Sequence, residues 1–341
     1  MKWRPGRPGR SLKGLLALPA LLGLTACTGT PQSMVDPAGP VAETQLHLLT
    51  FDLKMVAAIG FVVIALILYV VIRFRQRPGD ESLPPQVEGN RKLEIGWTLA
   101  AILVLIPLAV EPIGATFALA ARPTAADVIH VKVTGHQWWW EIEYPDLGIV
   151  TANELVIPAG RQVDLTLTSA DVLHSFWAPR LGGKVDLVPG RVNHLWLQGD
   201  KVGTYSGQCA ELCGTSHANM RLQVVVQEAD DYEAWVRARQ APVDLAALGD
   251  RAQAGWKLFN DKGCVACHTV NGTTAKGKVG PNLTGVGSRN IIGAGVLETS
   301  PESLAQWLHD PQAVKPRAQM PNLNLSPQEI GALAEFLQSL K

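Results

Sequence analysis

Gln208-Cys-Ala-Glu-Leu-Cys-Gly-Thr-Ser-His-Ala-Asn-Met220 places Cys209, Cys213, His217 and Met220 within twelve residues. A further histidine, His174, sits in Asp171-Val-Leu-His-Ser175 upstream. Thiolate, imidazole and thioether are soft ligands suited to copper. A mononuclear copper site of this kind uses one Cys, two His and a weak Met. This chain offers a second Cys, so two sulfurs can bridge two coppers, each with one imidazole and one weak ligand. Met220 is one weak ligand, and a backbone carbonyl between the cysteines, at Glu211, is the other. Three plainer readings compete. A zinc site of two Cys and two His leaves Met220 without a role. A Cys209–Cys213 disulfide is chemically allowed outside the cytoplasm. Met220 alone could simply be core.

The residues around this block read as β-structure. Val128–Val133, Glu154–Pro158, Val163–Thr168, Val192–Leu197 and Leu222–Val226 are β-rich or alternating, with Pro/Gly turns such as Pro158-Ala-Gly160 between them. Short strands at this spacing predict a β-sandwich or barrel over residues 123–230.

Upstream lie two apolar stretches. Met55–Ile72 carries no charge and is long enough to span a bilayer. The second runs from about Ile95 to Val110 and continues toward Ala121. The expected helices cover about 50–73 and 94–120, within an N-terminal and hairpin segment 27–122. Arg73, Arg75, Arg77, Arg91 and Lys92 fall in the loop between them, whereas residues 28–49 hold no Lys or Arg. That asymmetry places the loop in the cytoplasm and both outer ends outside. Residues 1–26 read as an export signal, with a basic start and a short apolar run from Leu15 to Leu24. The signal ends Leu24-Thr-Ala-Cys27, which resembles a bacterial lipobox, so Cys27 is the expected lipid-bearing residue.

Downstream, residues 231–250 read as a tether with some helical character, followed by a domain at 251–341. Gly263-Cys-Val-Ala-Cys-His268 holds Cys-x-x-Cys-His, the attachment signature of c-type haem. Cys264 and Cys267 supply thioethers and His268 an axial nitrogen. Met320 is the single Met of this segment and the expected sixth ligand. Its rival is His309, on a predicted helix Pro301–His309 that leaves it on the surface. Ser326–Leu340 predicts an amphipathic helix capped by Ser326.

Composition bounds the partners. The 341 residues carry 30 Lys+Arg and 30 Asp+Glu, so nothing suggests a nucleic-acid partner. The zero sum is local cancellation. Residues 122–230 hold 8 Lys/Arg against 12 Asp/Glu, net −4, and residues 251–341 hold 9 against 6, net +3. Opposite fields favour docking, and a flexible tether gives an effective concentration on the order of mM. Five Cys divide into one lipid anchor, two copper thiolates and two haem thioethers.

The copper block resembles the binuclear copper A motif of cytochrome c oxidase subunit II. Gly135-His-Gln-Trp-Trp-Trp140, Asp171–Ser175, Lys184-Val-Asp-Leu-Val-Pro-Gly-Arg191 and the membrane hairpin also resemble that family, over roughly 41–237. Ala210 departs from a frequent Ser and touches no proposed ligand. Residues 251–341, with Gly280-Pro-Asn-Leu283 and Met320-Pro321, resemble small class I cytochromes c. The resemblance implies a multidomain membrane protein: a two-helix transmembrane hairpin, a cupredoxin-like β-sandwich and an all-α class I cytochrome c domain. It implies copper ligation by His174, Cys209, Glu211, Cys213, His217 and Met220, and haem c on Cys264, Cys267, His268 and Met320. By the same resemblance Trp138 is a surface residue for electron entry, the implied contact with the haem domain lies near it, the Glu211 carboxylate reaches a Mg site shared with subunit I, and Glu94 stands at the mouth of a proton pathway. A charge at a helix start also serves the helix dipole.

The expected function is electron transfer in a proton-translocating haem–copper terminal oxidase of the bacterial cytoplasmic membrane. The metal domains face outward, and oxygen is reduced on subunit I, since this chain lacks His-rich membrane helices. Subunit III is an expected partner, as are membrane lipid and an upstream donor such as a quinol–cytochrome c reductase or a soluble cytochrome. The rivals are a copper A subunit of a nitric oxide reductase, a copper-handling protein, against which Cys-x-x-Cys-His argues, and a copper nitrite reductase fused to a cytochrome, which needs a single-Cys site.

Overall fold

The computed structural model describes residues 30–341 apart from 77–78, 80–84, 87 and 126. The signal segment, Cys27 and Arg77 lie outside the described residues.

Two long helices, α1 (Pro40–Arg73) and α2 (Arg91–Ala120), form the hairpin. Their most apolar windows have mean hydropathies of 3.1 and 2.2, and those windows bury nothing against the protein. Such faces are stable in lipid, where a helix satisfies its own backbone. α1 begins at Pro40, well before the expected start near 50. Proline suits the first helical position because its missing N–H is needed by no partner there, and Val41 and Ala42 are buried. At about 1.5 Å per residue its length reaches about 51 Å, beyond a hydrocarbon core of about 30 Å. The extra turns pack on the globular part. Gly183 lies close under the end of the Gln45 side chain, 2.6 Å from where a Cβ would stand. α2 is capped by Asn90, whose side chain accepts from the Lys92 and Leu93 amides. At its far end, Trp196 Nε1 donates to the Leu119 carbonyl at 3.1 Å.

Ten strands follow: β1 (Ile129–His136), β2 (Trp139–Tyr144), β3 (Ile149–Ala152), β4 (Glu154–Pro158), β5 (Val163–Ser169), β6 (His174–Trp177), β7 (Val185–Leu187), β8 (Asn193–Leu197), β9 (Gly203–Cys209) and β10 (Arg221–Gln227). They form two five-stranded sheets, ordered β3-β2-β1-β5-β8 and β4-β10-β9-β6-β7. β1 runs parallel to β5 and β10 parallel to β4. Alternating side chains such as Leu165, Leu167, Phe176 and Leu187 meet in the fully buried core. Trp140 stands edge-on to Phe176 and to His174, at 5.8 and 6.0 Å between centroids. The core therefore reaches the first candidate ligand.

The expected tether is ordered instead. Ala229–Gln240 forms α3, which buries Tyr232 and Val236 and packs Trp235 on Tyr144 at 5.3 Å. Apolar residues at helical spacing bind this segment to the sandwich, so it is no flexible linker.

The last domain contains α4 (Asp250–Asp261), α5 (Pro301–His309), α6 (Pro311–Val314) and α7 (Pro327–Ser339), with a two-residue hairpin of β11 (Ile291–Ile292) and β12 (Leu297–Glu298). α4 and α7 cross at Gly255, where a Cβ would lie 2.1 Å from the Ala332 carbonyl. Trp256, Phe259 and Phe336 cluster at that crossing. Ser326 and Glu329 form a reciprocal capping box that starts α7.

Candidate metal centres

The end of β9 and the turn before β10 bring the first centre together. Cys209 Sγ lies 3.8 Å from Cys213 Sγ, 3.9 Å from His174 Nδ1 and 3.2 Å from the Glu211 carbonyl. Cys213 Sγ lies 3.6 Å from His217 Nδ1 and 3.8 Å from Met220 Sδ. The other four expected donors converge on the two sulfurs. A disulfide is absent, since 3.8 Å far exceeds a bond of about 2.05 Å. Zinc in an N2S2 site would leave the buried Met220 thioether idle beside Cys213. The donor set fits paired copper. The adjacent Cys213 thiol holds the Cys209 thiol far below its ordinary range, and Cys209 pushes Cys213 up. Glu211 itself is half-buried beside Leu212, which is 77% exposed.

Asp171, quoted in the sequence without a role, orients the first imidazole. Its carboxylate accepts from His174 Nε2 at 2.8 Å and from the Gln137 amide at 2.6 Å. That bond leaves His174 Nδ1 free to face the sulfurs, as carboxylate–histidine pairs do at metal sites. The only signal in the sequence was a carboxylate three residues before the histidine.

The second centre is a cavity lined by Cys264, Cys267, His268, Met320 and apolar side chains including Phe259, Leu304 and Leu333. His268 Nδ1 donates to the Pro281 carbonyl at 2.8 Å, which frees Nε2 for iron. Burial pushes the His268 imidazole down, keeping it neutral. A Cβ at Gly280 would stand 2.6 Å from that ring, so glycine is required beside it. Met320 faces the cavity, with its sulfur 3.2 Å from Trp307 Nε1. His309 is exposed and outside the lining. Buried Arg289 also lines the cavity, and its Nε has no protein partner. It offers positive charge to a group that carries carboxylates. Two thiols, an imidazole, a thioether, apolar walls and a cation fit a c-type haem.

The two centres share a wall. Gln137, Trp138 and Trp139 of the sandwich line the haem cavity. Trp138 is only 7% exposed and belongs to the buried core of the sandwich, which differs from the expectation of a surface residue, and it also lines the cavity of the haem domain. The Trp138 Nε1 donates to the Cys213 carbonyl at 3.0 Å, and Lys315 Nζ from the haem domain donates to the Trp138 carbonyl at 2.5 Å. Beside it Ser216 Oγ donates to the Pro316 carbonyl at 2.6 Å. On the other flank Glu154 accepts from the Asn290 and Ile291 amides at 2.5 and 2.9 Å, and Arg239 bonds Ser288. The contact therefore lies near Trp138, and most of these bonds reach backbone groups rather than opposite charges. Lys315, Glu154 and Arg239 carried no motif. Glu94 sits exposed in the first turn of α2, away from both centres in the chain's globular part.

Comparison with known proteins identifies the family. Residues 28–114 match the family "Cytochrome C oxidase subunit II, transmembrane domain", 149–228 match "Cytochrome C oxidase subunit II, periplasmic domain", and 252–341 match "Cytochrome c". The chain is 40% identical to cytochrome c oxidase subunit 2 of Alkalihalophilus pseudofirmus over 94% of both proteins. It is 40% identical to that of Bacillus sp. strain PS3 over 97% of this chain and 96% of the relative. Among solved structures, the periplasmic domain of subunit II of cytochrome oxidase from Bradyrhizobium japonicum is 34% identical, with a TM-score of 0.33, covering 35% of this chain and 96% of that one. The chain belongs to the cytochrome c oxidase subunit II family, as a membrane-anchored member with a copper A domain and a C-terminal cytochrome c domain.

Proposed function

We propose that this subunit carries electrons from its own haem c to its binuclear copper centre and on to subunit I, where oxygen is reduced to water. The shared wall is the observation that supports this reading: Trp138 lines the haem cavity and its indole N–H reaches the carbonyl of Cys213. When bound, the haem and the copper pair supply reversible one-electron chemistry. The residues around them hold, orient and shield. Cys264 and Cys267 anchor the porphyrin, and His268 and Met320 present axial donors; a thioether donor favours a raised potential. His174, Cys209, the Glu211 carbonyl, Cys213, His217 and Met220 present the copper ligands. Asp171 fixes the orientation of His174, and Trp138 excludes water from the span between the cavities.

Several finer assignments belong to this proposal. The Glu211 carboxylate, next to exposed Leu212, would serve a Mg site shared with subunit I. Glu94, at the helix entrance, would serve proton uptake in a proton-translocating complex. Cys27 would carry lipid. The complex would stand in the bacterial cytoplasmic membrane with its metal domains outside, contact subunit III, and receive electrons from a quinol–cytochrome c reductase or a soluble cytochrome. The deciding experiment is metal and haem analysis of the purified complex together with gas uptake. Oxygen consumption with a mixed-valence copper pair in this subunit is the expected result. Nitric oxide consumption without oxygen uptake would move the chain to a nitric oxide reductase.

A further inference from the structure

We infer that Lys315 is a positioning residue: it locks the haem domain onto the copper domain in the geometry used for electron transfer, so that the handover occurs without domain movement. The inference rests on the proposed haem-to-copper route and adds to it the residue that holds the route closed.

Lys315 follows α6 in the haem domain and is 3% exposed. Burying an ammonium head is costly unless its donors are used. Here the head donates to two backbone carbonyls, Trp138 at 2.5 Å across the interface and Gly293 at 2.8 Å within its own domain. Burial pushes its pKa down to about 7. It therefore ties the β11–β12 turn to the residue that bridges toward Cys213. The adjoining Pro316 carbonyl accepts from Ser216, which lies between Cys213 and His217 and is fully buried. The Ala294 carbonyl, next to Gly293, accepts from the Arg221 amide at 2.9 Å. Consecutive residues of the haem domain thus grip the entry tryptophan and the copper loop together. These groups are carbonyls and amides screened from solvent, and salt screening acts mainly on exposed charges.

The position matters because Trp138 has no other cross-domain bond at its carbonyl among the described residues. Its indole faces the copper loop, and its backbone faces Lys315. Removing the ammonium head leaves both carbonyls buried without that donor. Loss of that donor should raise opening of the interface on the order of tenfold.

The test compares the intact oxidase with Lys315→Met, which keeps the length and apolar stem of the side chain. Haem and copper content are checked first and are expected to be unchanged, and because Lys315 also lines the haem cavity the haem potential is measured so that a change in driving force is separated from opening of the interface. If Lys315→Met fails to incorporate haem, Lys315→Gln, which keeps a shorter donor, carries the same comparison. Two readouts follow: hydrogen exchange of the Arg221 and Ile291 amides, and the ionic-strength dependence of haem-to-copper transfer after rapid haem reduction. Wild type should transfer at a salt-independent rate. The variant should exchange those amides on the order of tenfold faster and acquire a salt-dependent, slower transfer. Unchanged exchange overturns the lock, and faster exchange with unchanged transfer overturns its positioning role. Absence of haem-to-copper transfer in wild type would instead defeat the proposed route, while the exchange comparison would still decide whether Lys315 closes the interface.

Discussion

Asp171 shows how much a single carboxylate sets at the copper centre. It fixes His174 through Nε2 and accepts the Gln137 amide one residue before Trp138. Asp171→Asn removes the charge while keeping the shape, and orienting partners of this kind are worth about 10–100-fold in metal affinity. Chelator competition on the purified complex should show copper held less tightly by about that factor, with haem content unaffected. At the other centre, Met320→Ala should lower the haem potential and remove the spectroscopic signature of thioether ligation. His309→Ala should change neither, since His309 is exposed and outside the cavity. The blocks Cys209–Met220 and Cys264–His268 were legible because their spacing encodes the chemistry, whereas His174 stood 35 positions upstream of Cys209 and Met320 stood out as the single Met of its segment. Asp171 was visible only as a neighbour of His174. Lys315 and Glu154 were silent, because their partners lie 177 and 136 positions away and a lone charged side chain carries no periodicity.

Elements with strong local signals follow the sequence closely. β4 and α5 occupy the predicted residues, and α7 runs Pro327–Ser339 behind its capping serine. β2, β6 and β9 are less evident, since they carry tryptophans, histidine and glycine rather than alternating aliphatics. α3 replaces the expected tether because Tyr232 and Val236 recur on one face and find the sandwich. Ser326→Ala should loosen α7 by about 1 kcal/mol, read as faster hydrogen exchange across 327–339 in the assembled protein. Acid probes the same cap. Lys262, followed by the Ser326 hydrogen bonds, holds the Glu329 carboxyl down at about 2. Its folded value lies below its unfolded value, so its contribution is complete above pH about 4.5 and is lost as pH falls toward about 2. Exchange in the first turn of α7 should accelerate within that window, and Lys262→Met should shift the onset to higher pH.

Among the described residues, each part is fastened to the next. α1 rises out of the bilayer region onto the sandwich, α2 is tied to it through Trp196, and α3 leads along its side to the haem domain. Glu154 is the fastening on the flank away from Lys315. Glu154→Ala leaves the Asn290 and Ile291 amides without their acceptor, and each unsatisfied buried group costs about 1–3 kcal/mol. Interface opening measured by exchange at Ile291 should rise even though the copper and haem ligands are untouched. The contact of the haem domain with the Trp138 backbone bears on the kinetics of supply. A diffusing carrier delivers charge in a second-order encounter, so its rate follows carrier abundance, and spent carrier competes with fresh. Under the proposed route, the seated domain makes delivery to copper first order and insensitive to crowding by exhausted shuttles. Saturation and product inhibition then belong to the outward face of the haem domain, one step earlier in the chain of carriers.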